Sequence, residues 1–313
     1  MTLTPLPPPN PIRYDNSAHG AMACMRRAQY LLALGIQSKP SAEMTFGSAV
    51  HRVLECIAKG YTQPEGAPLP VALLPDDPLE NINPLIEDAR SRYNLTGLQL
   101  PKFKLLVEEL AVNGDTHIAK AISLVHGRPA IEYKFEVQCK DFVFCGTIDC
   151  LGVEDLGGIP HLLLTDYKAT TSKYPSDYLR DYKLKSQLPF YMYMLQNYGH
   201  QFLPSKYVGL PLAARIRGIF YECSPFDFRD SEIMFYTPTV AKQIHDIIKQ
   251  GITYLGTIHA MTRDDELAPK WGMATGACYR CPYDYICRMN DEVRERSEIA
   301  SIQRSAYDPL KFR

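Results

Sequence analysis

HLLLTDYKATT, residues 161–171, is the stretch on which the fold turns. Leu162, Leu163, Leu164 and Thr165 form an apolar run with a β-branched end, which predicts a buried strand. On a strand, residues i and i+2 share a face, so Asp166 and Lys168 emerge side by side. A carboxylate and an amine at the end of a buried strand must pair with each other, bind a metal or enter chemistry. A local ion pair capping an ordinary strand also meets that requirement, so the tripeptide alone names no function.

Upstream, AIEYKFEVQCKDFVFCGTIDCLGVE (130–154) alternates apolar and polar residues about a turn near Cys139 to Asp141, the pattern of an antiparallel hairpin. Its second strand carries GTID, which brings Asp149 beside the DYK strand. FGSAVHRVLECIAKG (46–60) has Val50, Val53, Leu54 and Ile57 at helical spacing and Gly60 as a stop, predicting an amphipathic helix. KLKSQLPFYMYMLQNYG (183–199) reads as a helix starting close to Lys185 or Ser186, because Pro189 is tolerated only in a first turn. RIRGIFYEC (215–223) reads as a further strand, and 237–255 as a helix. The proline-rich residues 1–13 read as a loose arm, 61–84 as a surface loop, and helical pattern continues to about 126. Helices, a meander of strands, one helix, a strand and more helices predict an α/β core with a helical addition.

A chain of 313 residues with 46% hydrophobic content builds one large domain or two small ones. With 34 basic against 35 acidic side chains, a polyanion must be held by a local patch or through a metal. No run approaches the roughly 18 to 20 apolar residues of a membrane helix, and the N-terminus lacks a signal-peptide pattern, so a soluble cytoplasmic protein is expected. Of nine cysteines, Cys56, Cys139, Cys145, Cys150 and Cys223 sit singly in apolar surroundings and read as core residues. Cys278, Cys281 and Cys287 form a C-x2-C-x5-C run, one thiolate short of a closed four-ligand site.

Asp149 and Asp166 repel at close range unless protonated or bridged by a cation, and hard oxygen donors suit Mg²⁺ or Mn²⁺. Such a cation lowers the pKa of a bound water and stabilises charge on a phosphate oxygen. Lys168 can orient or deprotonate that water, or neutralise charge in the transition state. The plainer reading of Asp149 is a turn residue.

GTID, DYK, the Q-x-x-x-Y of QLPFY and a histidine in a preceding helix together resemble the RecB-type branch of the PD-(D/E)XK nuclease superfamily. The resemblance implies a restriction-endonuclease-like mixed sheet flanked by helices, with a helical N-terminal and an iron-sulfur C-terminal addition. It implies cleavage of DNA phosphodiester bonds with Mg²⁺ or Mn²⁺, with His51, Asp149 and Asp166 as metal ligands and Lys168 as the catalytic lysine. Gln187 and Tyr191, four residues apart, would share one helix face toward the DNA or the active site. The proline of the superfamily's name is absent, since Ile148 precedes Asp149. Glu132 reads as a solvated strand-face residue with only a minor claim to the site.

Cys24 with Cys278, Cys281 and Cys287 is similar to the arrangement in the iron-sulfur members of this branch, including AddB-type and CRISPR-associated exonucleases. That similarity implies a [4Fe-4S] cluster joining the two ends of a single nuclease domain over 14–313, with helices inserted at about 61–126. Structural zinc is the alternative. Between Lys168 and Gln187 a loop carries Lys173, Arg180, Lys183 and Lys185 with Tyr174, Tyr178 and Tyr182 interleaved, which suits a single strand or a frayed duplex end. The expected activity is that of a DNA exonuclease in recombination, repair or phage- or CRISPR-related processing, in a bacterial or phage-infected cell. No GxxxxGK[ST] loop is present, so a helicase or recombination protein is the candidate partner. The competing expectation is a DNA-binding or assembly subunit with a vestigial nuclease site.

Overall fold

The computed structural model describes residues 12–15, 21, 24–33, 41–58, 83–95, 97, 99–125, 127, 129–139, 142–183 and 187–263. In chain order they form strand β1 (Ile12–Tyr14), helix α1 (Met25–Ala28) continued by a π-helical turn (Gln29–Ala33), and helices α2 (Ala42–Ala58), α3 (Asn83–Tyr93), α4 (Gln99–Val112) and α5 (Gly114–His117). Strands β2 (Ile131–Cys139), β3 (Phe142–Asp155) and β4 (Pro160–Thr170) follow, then helices α6 (Pro175–Lys183) and α7 (Gln187–Tyr198). Strands β5 (Leu212–Phe220), β6 (Asp227–Asp230) and β7 (Met234–Phe235) precede the long helix α8 (Pro238–Arg263). The sheet order is β1-β3-β4-β5-β6, with β2 beside β3 and β7 beside β5. β3 and β4 pair antiparallel while β4 and β5 pair parallel, so this is the mixed sheet with flanking helices that the sequence predicts.

Two compact units share the chain. The first takes residues 1–39, 134–146 and 239–313. In it β1 runs parallel to the start of β3, from Ile12 opposite Phe142 to Tyr14 opposite Phe144. The arm expected over 1–13 therefore ends in a strand at Ile12, because Tyr14 buries its ring edge-on to Phe144 at 6.0 Å. A Cβ at Gly251 of α8 would collide with the Tyr14 ring, so glycine permits that approach. Cys24 is buried in this unit. Residues 1–11, 61–82, Lys185, Cys278, Cys281 and Cys287, together with the Lys183 side chain, lie outside the described residues.

The second unit, residues 40–133 and 147–238, holds every side chain of the candidate site described below. Its core joins the apolar stripe of α2 (Phe46, Val50, Val53, Leu54) to Phe103, Leu106, Val107 and Leu110 of α4 and to Cys150, Tyr167 and Ile219 of the sheet. Phe46 meets Phe103 edge-on at 5.9 Å, and truncating either ring to Ala would cost about 3–5 kcal/mol. β4 is central, and its residues from His161 to Tyr167 are all buried, which is why that stretch is almost wholly apolar until Asp166. The connection from β4 to its parallel neighbour β5 runs through α6 and α7, as a parallel pair requires.

Where a loop is expected between Lys168 and Gln187, the chain forms α6. Pro175 as its first residue and Asp177 in its first turn are helix-start signals that the tyrosine-rich composition obscures. Leu179 anchors α6 on β5, where a Cβ on Gly218 would come within 3.2 Å of the Leu179 side chain and 2.6 Å of the Phe220 ring. Gly218 lies opposite Lys168 in the β4–β5 register. α7 begins at Gln187 with Pro189 in its first turn, as expected, and α8 continues to Arg263. Cys56, Cys145 and Cys150 are core residues, and Cys223 is half-buried. Among the described residues no helix is long and apolar enough to cross a membrane.

Candidate active site

The stripe that packs α2 on the sheet sets His51 at its margin, between Val50 and Leu54. From there the imidazole reaches two partners: Nδ1 is 2.7 Å from Glu132 Oε1, and Nε2 is 3.0 Å from the Tyr167 carbonyl oxygen.

Tyr167 is the residue between Asp166 and Lys168. The β3–β4 register runs from Asp155 opposite Pro160 to Cys150 opposite Thr165. Past the end of that ladder, the Tyr167 N–H donates to Asp149 Oδ2 at 2.8 Å, and the Tyr167 carbonyl accepts from His51. Buried backbone groups must find partners, and here two side chains take the place of a strand neighbour. Asp149 is thereby fully buried and is not a turn residue; its Oδ2 also lies 3.7 Å from His51 Nδ1. His51, Glu132 and Asp149 each offer a ligand atom within 4.8 Å of the others.

On β4 itself Asp166 and Lys168 share a face as the i, i+2 spacing predicts. Lys168 Nζ lies 2.7 Å from Asp166 Oδ2. Gln187 Nε2, at the first residue of α7, donates to the other oxygen, Asp166 Oδ1, at 3.0 Å. Both oxygens of a nearly buried carboxylate are thus held by donors, which fixes its plane.

Burial of the His51 ring disfavours its charge, but the neighbouring Asp149 and Glu132 carboxylates outweigh it and raise the pKa from 6.5 to about 9. An imidazolium with N–H groups directed at a carboxylate and a carbonyl is itself a cation seated among anionic and dipolar acceptors. Because the folded pKa lies above the unfolded value, this charge contributes stability that is complete below about pH 6.5 and disappears as pH rises through about 9. In chelator, urea midpoints should fall across that window for the unaltered protein, and His51→Gln should flatten that fall. An identical pH profile for the variant would refute the assigned charge.

A model of the PD-(D/E)XK nuclease superfamily matches residues 17–288, most of the chain. The chain belongs to the PD-(D/E)XK nuclease superfamily. No curated protein matches it closely enough to serve as a relative. Membership makes it a metal-dependent nuclease, and the site can be tested against that chemistry. A histidine nitrogen with carboxylate and carbonyl oxygens is a hard, oxygen-rich donor set of the kind that holds Mg²⁺ or Mn²⁺. His51, Glu132 and Asp149 bring such donors within 4.8 Å of one another, and the Tyr167 carbonyl lies 3.0 Å from His51 Nε2. The residues fit such an ion.

Further sequence-predicted residues of the PD-(D/E)XK chain lie on α6, α7 and the segment before α6. Tyr191 on α7 is 3% exposed, with its ring centroid 5.8 Å from that of Phe190. Lys173 is exposed, and Arg180 on α6 is 68% exposed and pairs with Asp177 and Asp181 at 3.0 and 3.6 Å. Tyr174 is 73% exposed while Tyr178 meets Phe220 edge-on, so only the first is an open aromatic surface. Glu132, read from the sequence as a solvated strand-face residue with a minor claim to the site, is a member of the cluster; strand periodicity carries no signal for it.

Proposed function

We propose that this chain is a divalent-metal-dependent deoxyribonuclease that degrades DNA from its ends, in recombination, repair or phage- or CRISPR-related processing. The observation that carries the reading is the Tyr167 peptide group, clamped by Asp149 and His51 beside the Asp166–Lys168 pair. His51 and Asp149 would hold the metal with Asp166 and the Tyr167 carbonyl. When bound, a divalent ion supplies a water of lowered pKa and positive charge against a phosphate oxygen. Lys168, fixed by Asp166, presents an ammonium to the same space, where it neutralises developing phosphate charge. Gln187 holds Asp166 in place, so the lysine's anchor does not swing.

Digestion of end-labelled linear DNA and closed circular DNA of the same sequence, in Mg²⁺, Mn²⁺ and chelator, tests this. The linear molecule should be shortened from its ends in metal alone and the circle spared. Cleavage of both at equal rates would leave a nuclease but reject the exonuclease, and no cleavage in saturating Mn²⁺ would reject the enzyme.

We further propose a [4Fe-4S] cluster held by Cys24, Cys278, Cys281 and Cys287, on the strength of the C-x2-C-x5-C spacing and the branch it is similar to. Anaerobically purified protein should then be brown with about four irons per chain, and Cys24→Ala should lose iron while Cys56→Ala keeps it. Closing so long a loop constrains the unfolded chain, so Cys24→Ala should also be cut faster by protease. Colourless protein with one zinc would replace the cluster by a zinc site.

A further inference from the structure

We infer that Glu132 is a positioning residue: it grips His51 by Nδ1 so that Nε2 is the nitrogen turned toward the metal, and it does so from a strained backbone. The inference rests on reading this site as a divalent-metal centre. Three observations converge on it. First, the contact is short, 2.7 Å, and partly sheltered, the two side chains being 23% and 16% exposed. Second, Glu132 has φ 44°, in the left-handed region. Among the described residues the other non-glycine with positive φ is Asn94, a type that tolerates the region; glutamate does not favour it. Third, with Nδ1 engaged by Glu132, Nε2 is the ring nitrogen left on the side of the Tyr167 carbonyl, 3.0 Å away.

The strain has a geometric purpose. Even-numbered positions of β2 point outward, and Lys134, Glu136 and Gln138 are all exposed. A regular strand would send Glu132 to solvent with them. A positive φ re-aims its side chain off that face and onto His51, as irregular strand positions do beside functional sites. A neutral imidazole has one N–H and one lone pair, and a carboxylate accepting at Nδ1 keeps the lone pair on Nε2. A carboxylate that serves this purpose does not itself need to touch the ion.

The test uses the full chain and Mn²⁺ binding read by the electron paramagnetic resonance of free Mn²⁺, together with nitrogen-15 shifts of His51 in the Mg²⁺-loaded protein. Glu132→Ala should weaken Mn²⁺ binding by about 10–100-fold, the usual cost of losing a ligand's orienting partner. Glu132→Gln keeps an oxygen that accepts from Nδ1–H, and should stay within a few-fold of the unaltered protein with His51 still protonated at Nδ1. Glu132→Gly should bind as poorly as Glu132→Ala yet unfold at an equal or higher urea concentration, since glycine relieves the backbone. Unchanged Mn²⁺ affinity in Glu132→Ala would overturn the inference and leave the metal centre standing. Equal weakening by Gln and Ala with the Nδ1–H tautomer intact would also overturn it, by making Glu132 a direct ligand. A Glu132→Gly protein that unfolds more easily would remove the strain from the account. Failure of the unaltered protein to bind Mn²⁺ would remove the metal centre and this inference with it.

Discussion

Lys168→Ala should reduce metal-dependent DNA cleavage by about 10²–10⁴-fold while the chain still folds, the range expected when a positioned catalytic group is lost. In the folded protein Lys168 Nζ sits 2.7 Å from Asp166 Oδ2, and the two side chains are 15% and 5% exposed. Removing the ammonium leaves a nearly buried carboxylate with Gln187 still bound to its other oxygen. Breaking a buried pair this way typically costs about 3–5 kcal/mol. In chelator the variant should therefore unfold at lower urea, and saturating Mn²⁺ should recover part of that loss by restoring positive charge near Asp166. The combination separates two roles. A lysine that only caps a strand would lower stability and leave the rate per folded molecule unchanged. A catalytic lysine loses the rate even at a temperature where the variant is fully folded. Cleavage at the unaltered rate under those conditions would return Lys168 to a structural ion pair.

The strands that build the site are legible in the sequence because burial writes itself into side chains. The run from Leu162 to Thr165 has to be apolar where both sheet faces are covered, and the i, i+2 rule then delivers Asp166 and Lys168 together. The α2 stripe is legible for the same reason, and it carries His51 to the sheet. The Tyr167 peptide is different: its N–H and carbonyl are common to every residue, so no residue type announces that they are clamped by Asp149 and His51. Glu132 is hidden more deeply. Its role depends on a left-handed φ that glutamate does not signal, and period-2 reading assigns it to solvent. Gln187 lies between these cases. Its i, i+4 relation to Tyr191 predicts a shared helix face, but only the packing of α7 brings Gln187 to Asp166 and buries Tyr191. The α6 helix had start signals at Pro175 and Asp177, outweighed by a polar, tyrosine-rich run that looks like a loop.

Asp149→Asn and Asp149→Ala should separate the two things this carboxylate does. Its side chain is fully buried, accepts the Tyr167 N–H at 2.8 Å and lies 3.7 Å from His51 Nδ1. Asparagine keeps the shape and an acceptor oxygen but loses the charge. Mn²⁺ binding should weaken by at least about 10–100-fold, and cleavage should fall with it. The same loss of charge acts on His51. Burial pushes its pKa down, and Asp149 is the leading charge pushing it up, ahead of Glu132, to about 9. In Asp149→Asn that value should drop, so the chelated protein's loss of stability with rising pH should begin and end at lower pH. Alanine removes the acceptor as well and leaves a buried N–H unpaired, a further cost of about 1–3 kcal/mol. At neutral pH in chelator the urea midpoint of Asp149→Ala should therefore lie below that of Asp149→Asn. Equal midpoints would mean that the Tyr167 N–H finds another partner. Unweakened Mn²⁺ binding by Asp149→Asn would take Asp149 out of the metal's ligands and leave it the buried substitute for a missing strand neighbour.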